Sequence, residues 1–304
     1  MNITVIGAGA MGSLFGALLA EAGNTVTLLD IRRDHVDAVN ANGLFIEEKA
    51  GVQRIVRIQA TTEPDRIGPT DLSIVFVKST HTAMAAETAA RLSGKTDLVL
   101  TLQNGMGNAD TLTETLDPSQ VIAGTTSHGA TFLGPGAIHH AGKGDTVIGP
   151  WATAGMSGAE RVAEVFHRAN IVTRVVDDVR TVLWAKLLIN VGINAITALT
   201  GIKNGQILEL ESSRQLSRKA VEEAMAVARA QGIDVDGDPV EKVFQVAAAT
   251  GPNRSSMGQD VDNCRLTEIA AINGFIVRLA ETAGVPVPVN RTLTALVETL
   301  QAHY

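Results

Sequence analysis

The sequence predicts a doubly wound parallel α/β domain followed by an all-α domain, and three observations carry that prediction. The first third alternates short, continuous apolar runs with helical segments. A glycine-rich loop separates the first run from the first helix. Beyond Val176 nearly every segment has helical texture.

Taken in order, NITVIGAG is the first strand and Met11 to Ala22 the first helix; TVTLLD and a helix near Arg33 to Ala41 follow. A small hairpin-like stretch spans Phe45 to Ala60. LSIVFVK, a helix through Ala83 to Leu92, DLVLTLQN, a helix near Asp110 to Leu116 and VIAGTTS continue the alternation. Between His128 and Pro150 the glycines and the pair His139 and His140 predict irregular chain with short strands, then a helix from Ala159 to Arg168 and the strand IVTRVV. The remainder is read as the long helix VLWAKLLINVGINAITALTG and helices over Ser213 to Gln231, Pro239 to Ala248, Gln259 to Ala283 and Asn290 to Ala302. GIDVDGDP and GVPVP punctuate these as turns.

Composition narrows the function classes. The 304 residues leave room for two domains, and 45% hydrophobic with 19% charged residues is a globular mix. A net charge of -7 supplies no basic stripe for phosphate backbones, so no nucleic-acid partner is expected. The single cysteine, Cys264, excludes an intrachain disulfide and any multi-cysteine metal site and fits a reducing, cytoplasmic compartment. MNITVIGAG turns apolar at once and reads as structure, not as a targeting signal. Aromatics make up only 3%, so Ala, Val, Leu and Ile must fill the core, which suits a helix-covered parallel sheet.

Gly7, Gly9 and Gly12 form G-x-G-x-x-G between a strand and a helix, and Asp30 ends the next strand. The first glycine allows the tight turn, the second the approach of a pyrophosphate and the third close helix–strand packing; helix N–H groups then hold the anion. The loop Gly7, Ala8, Gly9, Ala10, Met11 and Gly12 is therefore the expected cofactor cradle of a Rossmann-type domain over 1–176. Asp30 is placed to bind the adenosine ribose and repel a 2′-phosphate, favouring NADH. Arg32 and Arg33 could instead hold that phosphate, favouring NADPH, and the sequence leaves both open. Lys78 and Asn104 end two further strand runs and are expected at the ligand-binding carboxyl edge of the sheet; the glycines after Asn104 imply close backbone approach.

In the helical domain, 177–304, Lys186, Asn190 and Asn194 recur every four residues and share one stripe of an apolar helix. A buried ammonium needs a partner, and no acid lies within helical reach of Lys186. Three polar residues near the middle of the run argue for a buried core helix over a membrane span. Ser255 or Ser256 can cap the next helix, and Glu268, flanked by Ile269, Ala270 and Ile272, is the expected partner of Lys186. The histidine spacing suggests no metal site. No apolar stripe is clearly surplus to the core, so a homodimer is left open.

Together these motifs resemble the ketopantoate reductase (2-dehydropantoate 2-reductase) family across essentially the whole chain. They are GAGAMG, VK at Lys78, LQNGMG at Asn104, GTTSHGA through Ala130, W-x-K-L-x-x-N-x-x-x-N on the Lys186 helix, NG at Asn204, SSM at Ser256 and TEIxxINGF at Glu268. The resemblance implies NADPH-linked reduction of a 2-keto acid bearing a 4-hydroxyl to give pantoate, on the route to pantothenate and coenzyme A. It implies Lys186 as general acid and Asn190, Asn194, Asn204 and Ser256 as substrate contacts. Asn104 would touch both ligands, Ala130 and Glu268 would lie by the cofactor, and Lys78 matches a second lysine of the cleft. One departure stands out: NADPH-using members carry arginine where this chain has Ile31, with no acid before it. Relatives with an acid at that strand end resemble NAD-linked D-2-hydroxyacid dehydrogenases acting on branched or aromatic 2-keto acids. A dinucleotide sensor without turnover is the remaining, non-enzymatic reading, and a proton donor such as Lys186 speaks against it.

Overall fold

The structure, a computed structural model, describes residues 1–48, 51–92 and 98–304. Residues 49–50 of the expected hairpin and Asp97 of the DLVLTLQN run lie outside the described residues. The chain divides into two units, one of Met1–Gln103 with Asn108–Val179, the other of Asn104–Gly107 with Arg180–Tyr304. The expected boundary near Val176 therefore differs from the observed one in two ways: the division falls after Val179, and a loop from the first third joins the second unit.

The first unit runs β1 (Asn2–Ile6), α1 (Ala10–Glu21), β2 (Thr25–Leu29), α2 (Arg33–Asn42), β3 (Leu44–Glu48), β4 (Gln53–Val56), β5 (Gln59–Thr61) and β6 (Leu72–Val75). It continues with α3 (Thr82–Leu92), β7 (Leu98–Thr101), α4 (Asn108–Thr113), β8 (Val121–Thr126), β9 (Gly129–Gly134), β10 (Ala137–Gly142), β11 (Thr146–Pro150), α5 (Met156–Arg168) and β12 (Thr173–Val175). Eight strands form the main sheet in the order β12-β11-β8-β7-β6-β1-β2-β5. Only the β8–β11 pairing is antiparallel. Both faces of the central strands are covered: β6 and β7 are buried at every position, as continuous apolar runs require. Strand order reverses at β1, which lies between β2 and β6, so the carboxyl end of β1 is the topological switch point where such sheets bind ligands.

The hairpin around Phe45 and the short strands after His128 are not separate features. They join as a second sheet, β4-β3-β10-β9, through parallel pairing of β3 with β10. That register sets His139 opposite Glu47 and His140 opposite Glu48, and Nδ1 of His140 lies 2.9 Å from Oε2 of Glu48. The pairing is long-range, which is why local pattern reading missed it. α1 packs against β9 and β10, burying Leu14, Phe15 and Leu19 between the two sheets' strands and helices.

The second unit contains α6 (Val179–Thr200), α7 (Glu211–Ala230), α8 (Pro239–Ala249), α9 (Ser256–Asp262), α10 (Asn273–Ala283) and α11 (Pro288–Gln301). Asp238 caps α8 by accepting from the N–H groups of Val240 and Glu241, with Pro239 as the first helical residue; Gly284, at φ 67°, ends α10. α6 is the one described helix long and apolar enough to cross a membrane, yet 61% of its most apolar stretch is buried in protein. Leu187, Leu188, Val191 and Ile196 enter a core shared with α7, α8, α10 and α11.

The expected continuous helix from Gln259 to Ala283 is broken. α9 stops at Asp262, Cys264 adopts φ 50°, and only a short 3-10 turn, Ile269–Ala271, precedes α10. The N–H and hydroxyl of Thr267 donate to Oε1 of Gln301, at 3.0 and 2.8 Å, anchoring the break to α11. Tertiary bonds thus override a helical pattern, and Glu268 sits in this turn instead of three turns along a helix.

Candidate active site

The three loop glycines do three different things. Gly7 turns the chain at φ 95°, and a Cβ there would fall 2.7 Å from the backbone nitrogen of Val77. A Cβ on Gly12 would fall 2.0 Å from the Gly7 carbonyl oxygen, so helix and loop pack too closely for any side chain. A Cβ on Gly9 would meet nothing within 4 Å: this glycine borders open space. No side chain caps α1 at Gly9 and no acid lies in its first turn, which leaves the positive helix end to an outside anion. The loop fits a dinucleotide pyrophosphate.

At the end of β2, Oδ1 of Asp30 accepts from the backbone N–H of Arg32 at 2.9 Å and from its Nε at 3.4 Å. The guanidinium stacks 4.1 Å from the centre of the Phe132 ring, and its Nη2 lies 3.5 Å from the Ala8 carbonyl oxygen. Arg32 is thereby held by three groups, whereas Ile31 is 82% exposed. Lys78 lies beyond the end of β6, half-buried, where it opens the 3-10 turn Ser79–His81. Ala130 lies on β9, paired with His140 in the second sheet.

The second unit gathers Asn104, Lys186, Asn190, Asn194, Asn204, Ser256 and Glu268. Lys186 keeps part of its surface open, but its ammonium is surrounded by protein. This desolvation lowers its pKa to about 8, against the opposing pull of the Glu268 carboxylate. Glu268 is buried, and its Oε2 accepts from Nδ2 of Asn104 at 3.5 Å. Asn104 follows the end of β7 and lies in a loop pinned onto the Glu268 turn, where Met106 N–H donates to the Ala271 carbonyl at 2.9 Å. The close approach foreseen from the glycines is to this chain itself: a Cβ on Gly105, at φ 80°, would lie 2.5 Å from the Ala271 carbonyl oxygen.

Of six buried side-chain polar atoms without a hydrogen-bond partner among the described residues, five lie in this unit: Nδ2 of Asn190, Nδ2 of Asn194, Oδ1 of Asn204, Oγ of Ser217 and Oδ1 of Asn273. An unmatched buried polar group costs roughly 1–3 kcal/mol, and those of Asn190, Asn194 and Asn204 are available to a polar ligand. Asn204 is fixed from its other side, where Nδ2 donates to Oγ1 of Thr250 at 3.0 Å. Ser255, not Ser256, caps α9: its Oγ accepts from the Gly258 N–H and shares a 2.7 Å bond with Oγ1 of Thr197 on α6. Ser256 is left exposed as the first helical residue, next in sequence to the Ser255 that bonds α6. A lysine acid, a carboxylate that supports its charge and unfilled amide groups suit the reduction of a polar carbonyl.

Sequence reading passed over Ser13 and His35, both fully buried in the first unit and hydrogen-bonded to each other behind the glycine loop. The available signal was the periodicity of α2, where His35 shares the buried stripe with Val36 and Val39.

The fold and its loop define a two-unit dinucleotide-binding protein with a helical second unit. Residues 3–153 match the family model "Ketopantoate reductase PanE/ApbA", and residues 178–301 match its C-terminal counterpart. The chain belongs to the ketopantoate reductase family. It is 39% identical over 301 residues to a 2-dehydropantoate 2-reductase of Halobacterium salinarum, covering 99% of each chain. Among solved structures it is similar to a PanE/ApbA family ketopantoate reductase from Ralstonia eutropha, with TM-score 0.92, 36% identity and coverage of 100% of this chain and 99% of the other. A D-mandelate dehydrogenase solved with NADH and anilino(oxo)acetate superposes with TM-score 0.94 at 26% identity, covering 100% and 99%.

Proposed function

We propose that the protein is a 2-dehydropantoate 2-reductase, reducing ketopantoate to pantoate with a nicotinamide dinucleotide. The observation that carries this reading is the desolvated Lys186 on the helix that also bears two amides with unsatisfied donors. A nicotinamide dinucleotide held by the Gly7–Gly12 loop would supply the hydride that the keto carbon needs. Lys186 donates a proton to the oxygen on which charge develops, and a pKa of about 8 keeps it protonated at neutral pH yet ready to release that proton. Glu268 supports the charged form of the lysine, and Asn104 orients Glu268. Asn190, Asn194 and Asn204 bind the hydroxyl end of the substrate, and Ser256 receives its carboxylate. Ala130 and Lys78 line the cofactor side, and a cytoplasmic location goes with this reading. A homodimer formed through the helical unit belongs to the same reading.

For the cofactor, we infer a preference for NADH. Asp30 keeps Oδ2 for a ribose hydroxyl, while Arg32 is committed to Asp30, Phe132 and the Ala8 carbonyl and is poorly placed to take a 2′-phosphate. The same acid supports a second reading, an NAD-linked D-2-hydroxyacid dehydrogenase, as does the likeness to D-mandelate dehydrogenase. Initial rates with ketopantoate and with branched and aromatic 2-keto acids, each with NADH and NADPH, separate the two. Ketopantoate should lead in kcat/KM by about a hundredfold, on the scale of a hydroxyl recognised by dedicated polar groups. A comparable lead for an aromatic keto acid would establish the second reading.

A further inference from the structure

We propose that His35 is a positioning residue for dinucleotide binding, acting through Ser13 on the peptide between Ala8 and Gly9. The proposal rests on the dinucleotide reading above and assigns a role to two side chains outside the glycine motif. His35 is fully buried on α2, with a ring nitrogen bonded on each side. The Gly136 N–H, in the turn between β9 and β10, approaches Nδ1 at 2.9 Å. An amide can only donate, so Nδ1 is the acceptor and the ring carries its proton on Nε2. Nε2–H then donates to Oγ of Ser13 at 3.2 Å, and Ser13 donates its own proton to the Ala8 carbonyl oxygen at 2.9 Å. Every donor in this chain has one direction, and its end point lies inside the phosphate loop.

The consequence follows from peptide geometry. Among the described residues every peptide bond is trans, and a trans peptide holds its C=O and the next N–H on opposite sides. Fixing the Ala8 carbonyl on Ser13 turns the Gly9 N–H away from Ser13, at a residue whose Cβ position is open. The second sheet thereby sets the loop through its β9–β10 turn, and Gly136 is packed so closely on α2 that a Cβ would sit 3.0 Å from that of Ala38. Burial and the Arg32 charge hold the His35 pKa below its ordinary value, with Asp30 and Asp34 opposing, so the neutral ring persists at neutral pH.

The test measures the dissociation constant for NADH by cofactor fluorescence, alongside Tm, kcat and the KM for ketopantoate. Ser13→Ala removes one hydroxyl and should raise the NADH Kd about tenfold, the scale of one lost hydrogen bond. His35→Asn keeps the acceptor for Gly136 but not the donor to Ser13 and should weaken NADH similarly. His35→Gln, which can place an N–H near the Nε2 position, should restore most of the affinity. Combining His35→Asn with Ser13→Ala should cost little more than either change alone, because both break one chain. kcat at saturating NADH should hold throughout. NADH Kd values unchanged in both single variants, with only Tm lowered, would overturn the proposal and leave a packing role. A wild-type chain that binds neither NADH nor NADPH would overturn the dinucleotide reading itself, a distinct result.

Discussion

The carboxylate of Glu268 raises the pKa of Lys186 against the desolvation that lowers it, and the balance leaves the lysine at about 8. The two residues come from separate stretches of the helical unit, α6 and the turn before α10. Burial disfavours the charged ammonium, whereas the nearby carboxylate favours it. A balance between the two suits a proton donor.

With Lys186 as the proposed acid, reduction uses its protonated form, so kcat/KM for ketopantoate should be level on the acid side and fall about tenfold per pH unit above pH 8. Lys186→Ala should lower kcat by about 10²–10³ and leave NADH binding intact, the usual cost of losing one charge-stabilising donor. A kcat within a few-fold of wild type would end the case for Lys186 as the acid.

Glu268→Gln keeps an acceptor for Asn104 while removing the charge that favours protonated Lys186. The alkaline limb should therefore move to lower pH, and activity measured at pH 8 should fall more than activity measured at pH 6. A limb that stays in place would show that the carboxylate does not act on the lysine.

Asn190 and Asn194 each carry a buried Nδ2 without a partner. Truncating an unsatisfied group removes a penalty, so Asn190→Ala and Asn194→Ala should leave Tm unchanged or slightly higher, while KM for ketopantoate rises about tenfold or more. Structural asparagines behave oppositely. Asn290 donates to the Ala220 carbonyl and to Glu223, and Asn290→Ala should lower Tm without a specific change in KM.

Much of this was legible in the sequence, for identifiable reasons. The β1–loop–α1 unit and the stripe of Lys186, Asn190 and Asn194 are local patterns, and local patterns survive in one dimension. Glu268 as a buried partner was legible from its apolar neighbours. What was not legible depends on contacts between distant segments. Pairing of β3 with β10 joins a hairpin-like stretch and a distant region of irregular appearance into one sheet. Residues 104–107 leave the first unit because Met106 bonds to Ala271. The helical pattern over 259–283 is broken by Thr267 binding Gln301 and by the positive φ of Cys264. His35 carries no local signal of its bonding, because the Gly136 N–H that reaches its ring lies 101 residues away.

The cofactor preference can be shifted at Ile31, whose side chain is 82% exposed at the end of β2. Ile31→Arg adds an unpaired guanidinium beside the ribose site, where Arg32 is already committed, and should lower KM for NADPH about tenfold or more with little effect on NADH. Asp30→Ser should act in the same direction by removing the carboxylate that a 2′-phosphate must approach. If NADPH kinetics did not respond to either change, the adenosine ribose would have to lie elsewhere.

Two glycine substitutions should separate the contributions of the two units. Gly12→Ala drives a methyl to 2.0 Å from the Gly7 carbonyl oxygen, which neither helix nor loop can accommodate in place. It should raise the NADH Kd by more than about tenfold and lower Tm. Gly105→Ala introduces strain at φ 80° and a contact of 2.5 Å with the Ala271 carbonyl oxygen, so it pushes the Asn104 loop off the Glu268 turn. NADH binding should change less than in Gly12→Ala, while kcat falls and the alkaline limb shifts as Glu268 loses its amide partner. Loss of NADH affinity in the Gly105→Ala variant, with kcat preserved at saturation, would reverse the assignment of this loop.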